Sequence, residues 1–324
     1  MNWIIPMEPV SISGIKQGDE YIHEIKWDGI RGMIYLQSGN MKVYTKKGNE
    51  RTGFYPELNI LETILGGKDM VLDGEIVVHD NRGYPSFHNV LVRETVKNKR
   101  NLQYYLKNYP VKYMLFDILM YNGEQLTRTA LQERKHILEQ VTAPVIQNSN
   151  TVFLSPIFEN GNELYENMKL NNMEGIVSKK LNSYYMPGKK HEEWFKTKFT
   201  KKMLCIIGGI QWKDKLPNSL LMGIRTESDS KLFYMGKASL GLKGSDLQLL
   251  SQYRDQLVQK ECPFEPDGIT DIDITGTGLT WTVPAITCWI GFLELSNDGH
   301  FRHPKILGFT NLPMEEADGK VLTD

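Results

Sequence analysis

Acidic residues within apolar, strand-like runs constrain this chain more than any other feature of its sequence. Glu75 and Asp117 lie inside such runs, and Glu174 stands at the head of a third. One acidic side chain in an apolar strand can face solvent at the edge of a sheet, but three such residues are harder to explain in that way. A buried carboxylate is costly unless it is paired or coordinates a metal. The pattern therefore indicates one polar site lined by several strands.

Strands and helices alternate irregularly in the first part of the chain, which favours an α+β domain of antiparallel sheets over a doubly wound parallel sheet. Apolar spacing after Pro56 predicts a helix that ends before Gly66. The predicted strands are Tyr21–Lys26, Arg31–Leu36, Met41–Thr45, Met70–Val78, Val111–Met120 and Gly175–Lys179. The predicted helices are Phe54–Leu65, Leu131–Val141 and Asn162–Leu170.

The character of the sequence changes after Lys198. Strands separated by polar turns then dominate, with one helix predicted among them at Ser245–Val258. Such a pattern over about 120 residues is typical of a small β-barrel of the OB type. The predicted strands are Met203–Gln211, Leu220–Arg225, Leu232–Ala238 and Ile286–Leu295. We therefore expect two domains, residues 1–199 and 200–324.

The composition is that of an ordinary globular protein. Lys and Arg number 38 against 39 Asp and Glu, and hydrophobic residues make up 40%. No run approaches the roughly 18 apolar residues of a membrane span, and the N-terminus lacks the features of a signal peptide. The three cysteines show no C-x-x-C spacing, which argues against a disulfide framework or a zinc ribbon. We expect a cytoplasmic monomer that does not enter a membrane.

Lysines are concentrated between Ser178 and Lys202, where eight lysines stand against Glu192 and Glu193. A basic strip on a nearly neutral protein suits a surface that binds a phosphate backbone. A solvated lysine-rich surface explains the same charges. Charge alone leaves both interpretations open.

Lys26 is the candidate nucleophile. It ends a predicted strand and is followed by Asp28-Gly29 and then by Arg31. An Asp-Gly turn predicts a hairpin that projects Lys26 into a cleft, although a hairpin with charged rims would look the same. A lysine attacks only when neutral, which requires desolvation or nearby cations. Lys196 and Lys198 alternate along a short predicted strand and could supply such cations.

Five motifs follow one another along the chain: K-W-D-G-I-R (26–31), L-D-G-E (72–75), L-F-D (115–117), E-G-I-V-S-K (174–179) and W-F-K-T-K (194–198). In this order and spacing they resemble the motifs of the covalent nucleotidyltransferases. Within that superfamily they are most similar to ATP-dependent DNA ligases, in particular to the ligase domain of bacterial end-joining ligases. Three further segments support this: Y-T-K-K-G (44–48), F-Y-P-E (54–57) and R-H-P (302–304).

The resemblance implies a role for each matching residue. Lys26 would carry AMP through a phosphoramidate bond. Glu24 would contact the adenine, Phe116 would stack on it, and Arg31 and Glu75 would hold the ribose side. Plain core packing is the alternative for Phe116.

The remaining implied site residues hold phosphate or metal. The phosphate contacts would be Lys46, Lys179, Lys196 and Lys198, with Lys46 standing where the family usually has arginine. Glu174, Glu75 and Asp28 would be ligands of Mg²⁺ or Mn²⁺. Asp73 is interpreted as a turn acid, Asp117 as a strand brace and Trp194 as packing.

By this resemblance the chain would be an ATP-dependent DNA ligase that uses ATP and a divalent metal. It would seal 5′-phosphate/3′-hydroxyl nicks in duplex DNA through a lysyl-AMP intermediate, in DNA repair. A role in end joining with a Ku-like end-binding protein is left open. Three alternatives also stay open: an RNA ligase, a capping guanylyltransferase, and a nick-binding relative with weak self-adenylation.

The last motif departs from the family pattern. Thr310 stands at the position of the usual arginine, and Leu312 and Pro313 replace the usual Asp-Lys. In the family this motif orients the leaving pyrophosphate. We therefore expect the first step, self-adenylation, to be impaired.

Overall fold

A computed structural model of the chain describes residues 3–96, 101–171, 173–226, 231–265, 269, 278–296 and 298–323. The chain divides into two compact units, Met1–Lys198 and Phe199–Asp324. The first unit is built from largely antiparallel sheets and helices, and the second from a strongly curved sheet. The expected α+β class with an OB-like second unit is therefore confirmed.

The first unit contains two sheets. Their strands, in chain order, are β1 (Glu8–Ser11), β2 (Tyr21–Ile25), β3 (Ile30–Gln37), β4 (Asn40–Thr45), β5 (Met70–Val78), β6 (Val111–Tyr121), β7 (Glu124–Gln125), β8 (Val152–Leu154), β9 (Ile157–Phe158), β10 (Gly175–Lys180) and β11 (Lys190–Lys198). The helices are α1 (Asn59–Leu65), α2 (Phe87–Glu94), α3 (Leu102–Asn108), α4 (Leu131–Asn148) and α5 (Gly161–Leu170).

One sheet has the order β1-β11-β10-β2-β9. The other has the order β4-β3-β5-β6-β7, with β8 beside β6. The sequences of β5 and β6 are nearly continuous apolar runs because each strand packs against a core cluster on both of its faces. Leu72 and Ile118 pack on the face that carries α1 and α4, whereas Val71 and Leu119 pack in the cluster that contains Trp194 of β11.

The predicted hairpin at Asp28-Gly29 is wrong. β2 pairs with β10 and β9, whereas β3 pairs with β4 and β5. The chain thus crosses from one sheet to the other between β2 and β3. Gly29 permits the crossing, because a Cβ there would lie 2.4 Å from the carbonyl oxygen of Ile76. Lys26 consequently lies where the two sheets meet.

The helix predictions hold with altered ends. The segment predicted as Phe54–Leu65 begins as a 3₁₀ turn at Pro56–Leu58 and becomes α-helical as α1. α4 continues past the predicted end, through Pro144. α2 and α3 were not predicted. They have only eight and seven residues, although Ser86 at the N-cap and the helical spacing of Phe87, Val90 and Leu91 could have identified α2.

The second unit is organised around one long strand. Its strands are β12 (Lys201–Lys213), β13 (Leu216–Arg225), β14 (Leu232–Ala238), β15 (Val258–Gln259), β16 (Leu279–Thr282), β17 (Thr287–Phe292), β18 (Glu294–Leu295), β19 (Phe301–Arg302), β20 (Lys305–Thr310) and β21 (Val321–Thr323). β12 pairs with β13, β16, β17 and β21 along its length. A helix that was expected at Ser245–Val258 is divided into α6 (Gly244–Gln252) and α7 (Arg254–Leu257).

Among the described residues, no helix combines the length and the apolar character needed to cross a membrane.

Candidate active site

A cavity of about 650 Å³ lies between the two sheets of the first unit. This volume falls in the range of small-molecule sites. Strands of both sheets and helix α2 contribute to its walls. The walls include these residues predicted from the sequence to form a site: Glu24, Lys26, Arg31, Lys46, Glu75, Phe116, Lys179 and Lys196.

Glu174 connects two of the predicted lysines. Lys26 Nζ lies 2.5 Å from Glu174 Oε2, and Lys198 Nζ lies 2.5 Å from Glu174 Oε1. The backbone N–H of Lys26 also donates to the carbonyl of Gly175, at 3.0 Å. Burial opposes the charged form of Glu174, but Lys26 and Lys198 outweigh it and hold the pKa of Glu174 below its usual range.

Glu75 presents its carboxyl to the cavity from β5, whereas Glu174 is not among the lining residues and is connected to the cavity through Lys26. Burial raises the pKa of Glu75 to about 7, and the charges of Lys26 and Arg31 only partly offset this effect. The negative charge of Glu174 contributes to the rise. Glu75 and Glu174 together offer carboxylate oxygens, which are ligands that suit a divalent cation, and Glu75 is about half-ionised near neutral pH.

The acids do not make a complete metal cage. Within the described residues, no group of three or more His, Cys, Asp or Glu side chains could hold a metal ion. Mg²⁺ in nucleotide sites takes one or two protein carboxylates, with phosphate oxygens and water completing the shell. Glu174 and Glu75 fit that requirement. Asp28 belongs to the described part of the chain but does not line the cavity.

Arg31 is held rigidly at the cavity wall by Asp73. Arg31 Nε and Nη2 donate to the two carboxylate oxygens of Asp73, each at 2.5 Å. The hydroxyl of Tyr185 donates to Asp73 Oδ2, at 2.7 Å. Burial disfavours the charge on Arg31, but Asp73 reverses the balance and raises the pKa of Arg31 above its usual range. Asp73 is thus a buried partner inside β5, and its interpretation as a turn acid is wrong.

The aromatic side of the cavity is formed around Lys179. Lys179 Nζ lies 4.5 Å from the ring centroid of Phe116 and 4.4 Å from that of Trp194. The same atom lies 2.8 Å from Glu24 Oε2. Burial lowers the pKa of Lys179 to about 8. Phe116 is 8% exposed and still lines the cavity, so it belongs to both the core and the site.

Two further lysines, Lys46 and Lys196, line the cavity. Lys46 Nζ is 2.7 Å from Glu8 Oε2. Burial, with the charges of Lys198 and Lys26, lowers the pKa of Lys196. The lining thus combines lysines and an arginine with aromatic rings and carboxylates, a set of side chains that can bind a nucleotide by its phosphates and its base.

Several residues of the site carry no motif that would have identified them. Asp117 accepts from Arg134 Nε and Nη2 at 2.8 and 2.9 Å, in agreement with its interpretation as a brace. Lys135 forms an ion pair with Glu24. Arg134 and Lys135 lie far along the chain from their partners, so no local pattern marks them.

Two family models match the chain. The model described as "ATP dependent DNA ligase domain" matches residues 8–198. The model described as "ATP dependent DNA ligase C terminal region" matches residues 213–311. The first match alone covers more than half of the 324 residues.

Curated relatives include end-joining proteins. The chain is 28% identical over 293 residues to the multifunctional non-homologous end joining protein LigD of Mycolicibacterium smegmatis, covering 89% of this chain and 36% of that protein. It is 31% identical over 193 residues to the SPbeta prophage-derived DNA ligase-like protein LigB of Bacillus subtilis, covering 59% of this chain and 66% of that one. The chain therefore spans about a third of the length of the LigD protein.

Solved structures agree with these matches. The ligase domain of LigD from M. tuberculosis aligns with a TM-score of 0.53 and 25% identity, over 97% of each chain. Mycobacterial DNA ligase D complexed with ATP and MES has the same fold, with a TM-score of 0.54 and 24% identity over 97% of each chain. The resemblance drawn from the five motifs is confirmed: this chain belongs to the ATP-dependent DNA ligase family.

Proposed function

We propose that this chain seals 5′-phosphate/3′-hydroxyl nicks in duplex DNA through an AMP carried on Lys26. The observation that carries the proposal is the position of Lys26, at the edge of a nucleotide-sized cavity with Glu174 and further lysines around it. In this proposal residues 1–199 act as the adenylation domain and residues 200–324 as an OB-fold domain.

In the first step, Lys26 Nζ attacks the α-phosphorus of ATP. A nitrogen–phosphorus bond forms, the bond to pyrophosphate breaks, and the lysine gives up a proton. A free lysine is neutral only about one time in a thousand near pH 7.4, so attack requires Glu174 to leave its ion pair with Lys26. Lys196 and Lys198 then favour the neutral amine and bind the α-phosphate oxygens.

Glu174 and Glu75 would hold the divalent metal, Mg²⁺ or Mn²⁺, with Asp28 the third residue that the sequence proposes. When bound, the metal neutralises charge on phosphate oxygens. Glu75 changes protonation near pH 7, so this residue can exchange a proton for a cation at physiological pH.

Other residues of the cavity would bind the nucleoside. Phe116 would offer its ring for stacking and Glu24 an acceptor for the adenine amine. Arg31, fixed by Asp73, would contact the ribose. Lys179 and Lys46 would add contacts to the phosphates.

The later steps transfer AMP to the nick. The 5′-phosphate attacks the phosphorus of lysyl-AMP, breaking the nitrogen–phosphorus bond and giving DNA-adenylate. The 3′-hydroxyl then attacks the 5′-phosphate and AMP leaves. The lysines between Ser178 and Lys202 would contact the duplex backbone without reading its sequence.

The biological setting is proposed from the relatives. LigD is named as a non-homologous end joining protein, and we infer DNA repair by end joining, with a Ku-like end binder as a partner, for this chain too. The family matches disfavour the RNA ligase and the capping guanylyltransferase. A cytoplasmic, monomeric protein stays a prediction.

Incubation with ATP labelled at the α-phosphate, a divalent metal and a nicked duplex tests the proposal. We expect label on the protein first, then on the 5′ end of the nick, then in free AMP as the strand is sealed. Binding to nicked DNA without any labelled protein or sealed product would instead support the nick-binding alternative.

A further inference from the structure

Lys135 lies outside the five motifs and does not line the cavity, yet its side chain contacts Glu24, which does. Its Nζ forms an ion pair with Glu24 Oε1, while Lys179 Nζ contacts Glu24 Oε2 at 2.8 Å. The Lys135 side chain is 10% exposed and the Glu24 side chain 3%, so water screens this ion pair little. Glu24 is thus ion-paired at both oxygens by cations from two different elements, and its buried Oε1 accepts no hydrogen bond from the described residues.

The start of α4 is fixed in place beside Lys135. Arg134 binds both oxygens of Asp117 and donates to the carbonyls of Thr129 and Ser183, at 2.6 and 3.0 Å. Asp117 directly follows Phe116, the residue expected to stack on the base. Neighbouring residues of a helix point about 100° apart, so this turn of α4 contacts both the strand that carries Phe116 and the strand that carries Glu24.

We propose that Lys135 is a positioning residue that gives the nucleotide site its preference for adenine over guanine, acting through Glu24. The inference rests on the proposed function, because it takes the cavity as the ATP site. Adenine presents an amine donor where guanine presents the acceptor O6. An ionised carboxylate only accepts hydrogen bonds, and each oxygen can accept more than one. Glu24 can therefore keep both lysines, accept from adenine and repel guanine.

Loss of Lys135 weakens this discrimination for a definite reason. Glu24 Oε1 would be left without a cation, and Glu24 would be held by Lys179 alone, at Oε2. A side chain held at one oxygen can turn away from the base, so adenine loses its acceptor and guanine is no longer repelled.

Equilibrium binding of ATP and of GTP, each with Mg²⁺, measures the preference separately from the chemistry. The full chain carrying Lys26→Ala is used throughout, so that no covalent adduct forms. Lys135→Met removes the charge at similar length, and Lys135→Arg retains it. Lys107→Met, at an exposed position of α3, is the matched control.

We expect the parent to prefer ATP, and Lys135→Met to lower the ATP/GTP affinity ratio about tenfold, the size of one hydrogen bond to a charged group. Lys135→Arg should retain most of the ratio and Lys107→Met all of it. An unchanged ratio in Lys135→Met, equal weakening for both nucleotides, or a parent without preference would overturn the inference.

If Lys135→Met does not fold, Glu24→Gln decides the question, since an amide both donates and accepts. A retained ATP/GTP ratio in Glu24→Gln would overturn the inference. Failure of the proposed function is seen separately, as the absence of an AMP adduct on the unmutated chain.

Discussion

Lys26 and Glu174 form an ion pair in which Nζ and Oε2 lie 2.5 Å apart. The side chain expected to attack ATP is therefore paired with the one expected to hold the metal. An ion pair favours the protonated lysine, whereas attack requires the neutral one. In the proposed mechanism, Glu174 would therefore exchange its lysine partners for another cation before Lys26 attacks.

Replacement of Glu174 tests that exchange. Glu174→Ala should slow self-adenylation at least about a hundredfold, because the metal-dependent step loses its carboxylate, while the fold stays intact. Single-turnover labelling and circular dichroism measure the two effects. Glu166→Ala, at an exposed position of α5, should match the parent. An unfolded Glu174→Ala protein would mean that the acid is structural.

Glu75 should make the stability of the protein depend on pH. Burial raises its pKa from 4.5 to about 7 in the folded state. Between these values the folded protein binds more protons than the unfolded one, so the free energy of unfolding falls as pH rises. Glu75→Gln removes this pH-dependent contribution to the free energy of unfolding. From pH 5 to pH 8 the variant should gain stability relative to the parent, by at most a few kcal/mol.

Denaturant unfolding at both pH values measures that difference. If the free energies of unfolding of Glu75→Gln and the parent differ by the same amount at both pH values, Glu75 has the same pKa in the folded and unfolded chains. If the parent instead gained stability relative to Glu75→Gln from pH 5 to pH 8, the pH dependence would have the opposite sign to the one that burial requires.

The altered last motif should make self-adenylation the slow step. Thr287 Oγ1 donates to the carbonyls of Thr310 and Leu312, and Leu312 N–H donates to Thr310 Oγ1. The polar groups at this strand end are thus satisfied locally, and neither Thr310 nor Leu312 carries a charge for pyrophosphate. Loss of one contact to the charge that develops in a transition state typically costs about 10²–10³ in rate.

Single-turnover assays compare adenylation by ATP with sealing of pre-adenylated nicks. We expect slow adenylation and fast sealing. Equal rates, or faster adenylation, would show that another cation has replaced the arginine, with Lys305 and Lys320 the first to test.

The fragment Met1–Lys198 should fold and bind ATP alone. Two apolar core clusters lie wholly within it, and Lys26, Glu75 and Glu174 all belong to it. Sealing should be much weaker than in the full chain, since the second unit is absent. An insoluble or unstructured fragment would contradict a domain boundary near residue 199.

Local patterns predicted the longer strands, because runs such as Met70–Val78 are apolar on both faces and end at polar residues. They missed β20 and the short strands such as β1 and β8, which are too short or too polar to give a clear pattern. They failed at Lys26–Gly29. An Asp-Gly turn predicts a hairpin only when both flanking strands join one sheet, and here β2 and β3 join different sheets. The close approach of Gly29 to Ile76 decides this, and it is a tertiary contact.

The site residues also fall into two groups, those that local patterns identify and those that only tertiary contacts bring to the site. Residues within motifs were predicted to converge, and Lys26 and Lys198 do both contact Glu174. Lys135 could not be found, because its partner Glu24 lies in a distant strand and Arg134-Lys135 reads as the polar face of a helix. Burial produces the altered pKa of Glu75, which the sequence does not state.

The most direct test of the account is the position of the covalent AMP. The full chain is incubated with ATP and a divalent metal, digested, and its peptides are analysed by mass spectrometry, with Lys26→Ala and Lys26→Arg in parallel. We predict one adenylyl group on Lys26 and none on either variant, since the motif resemblance assigns the attack to Lys26 although Lys179 and Lys196 line the same cavity, and since the guanidinium of Lys26→Arg stays charged. An adduct on a different residue, or one retained by Lys26→Ala, would contradict the central claim.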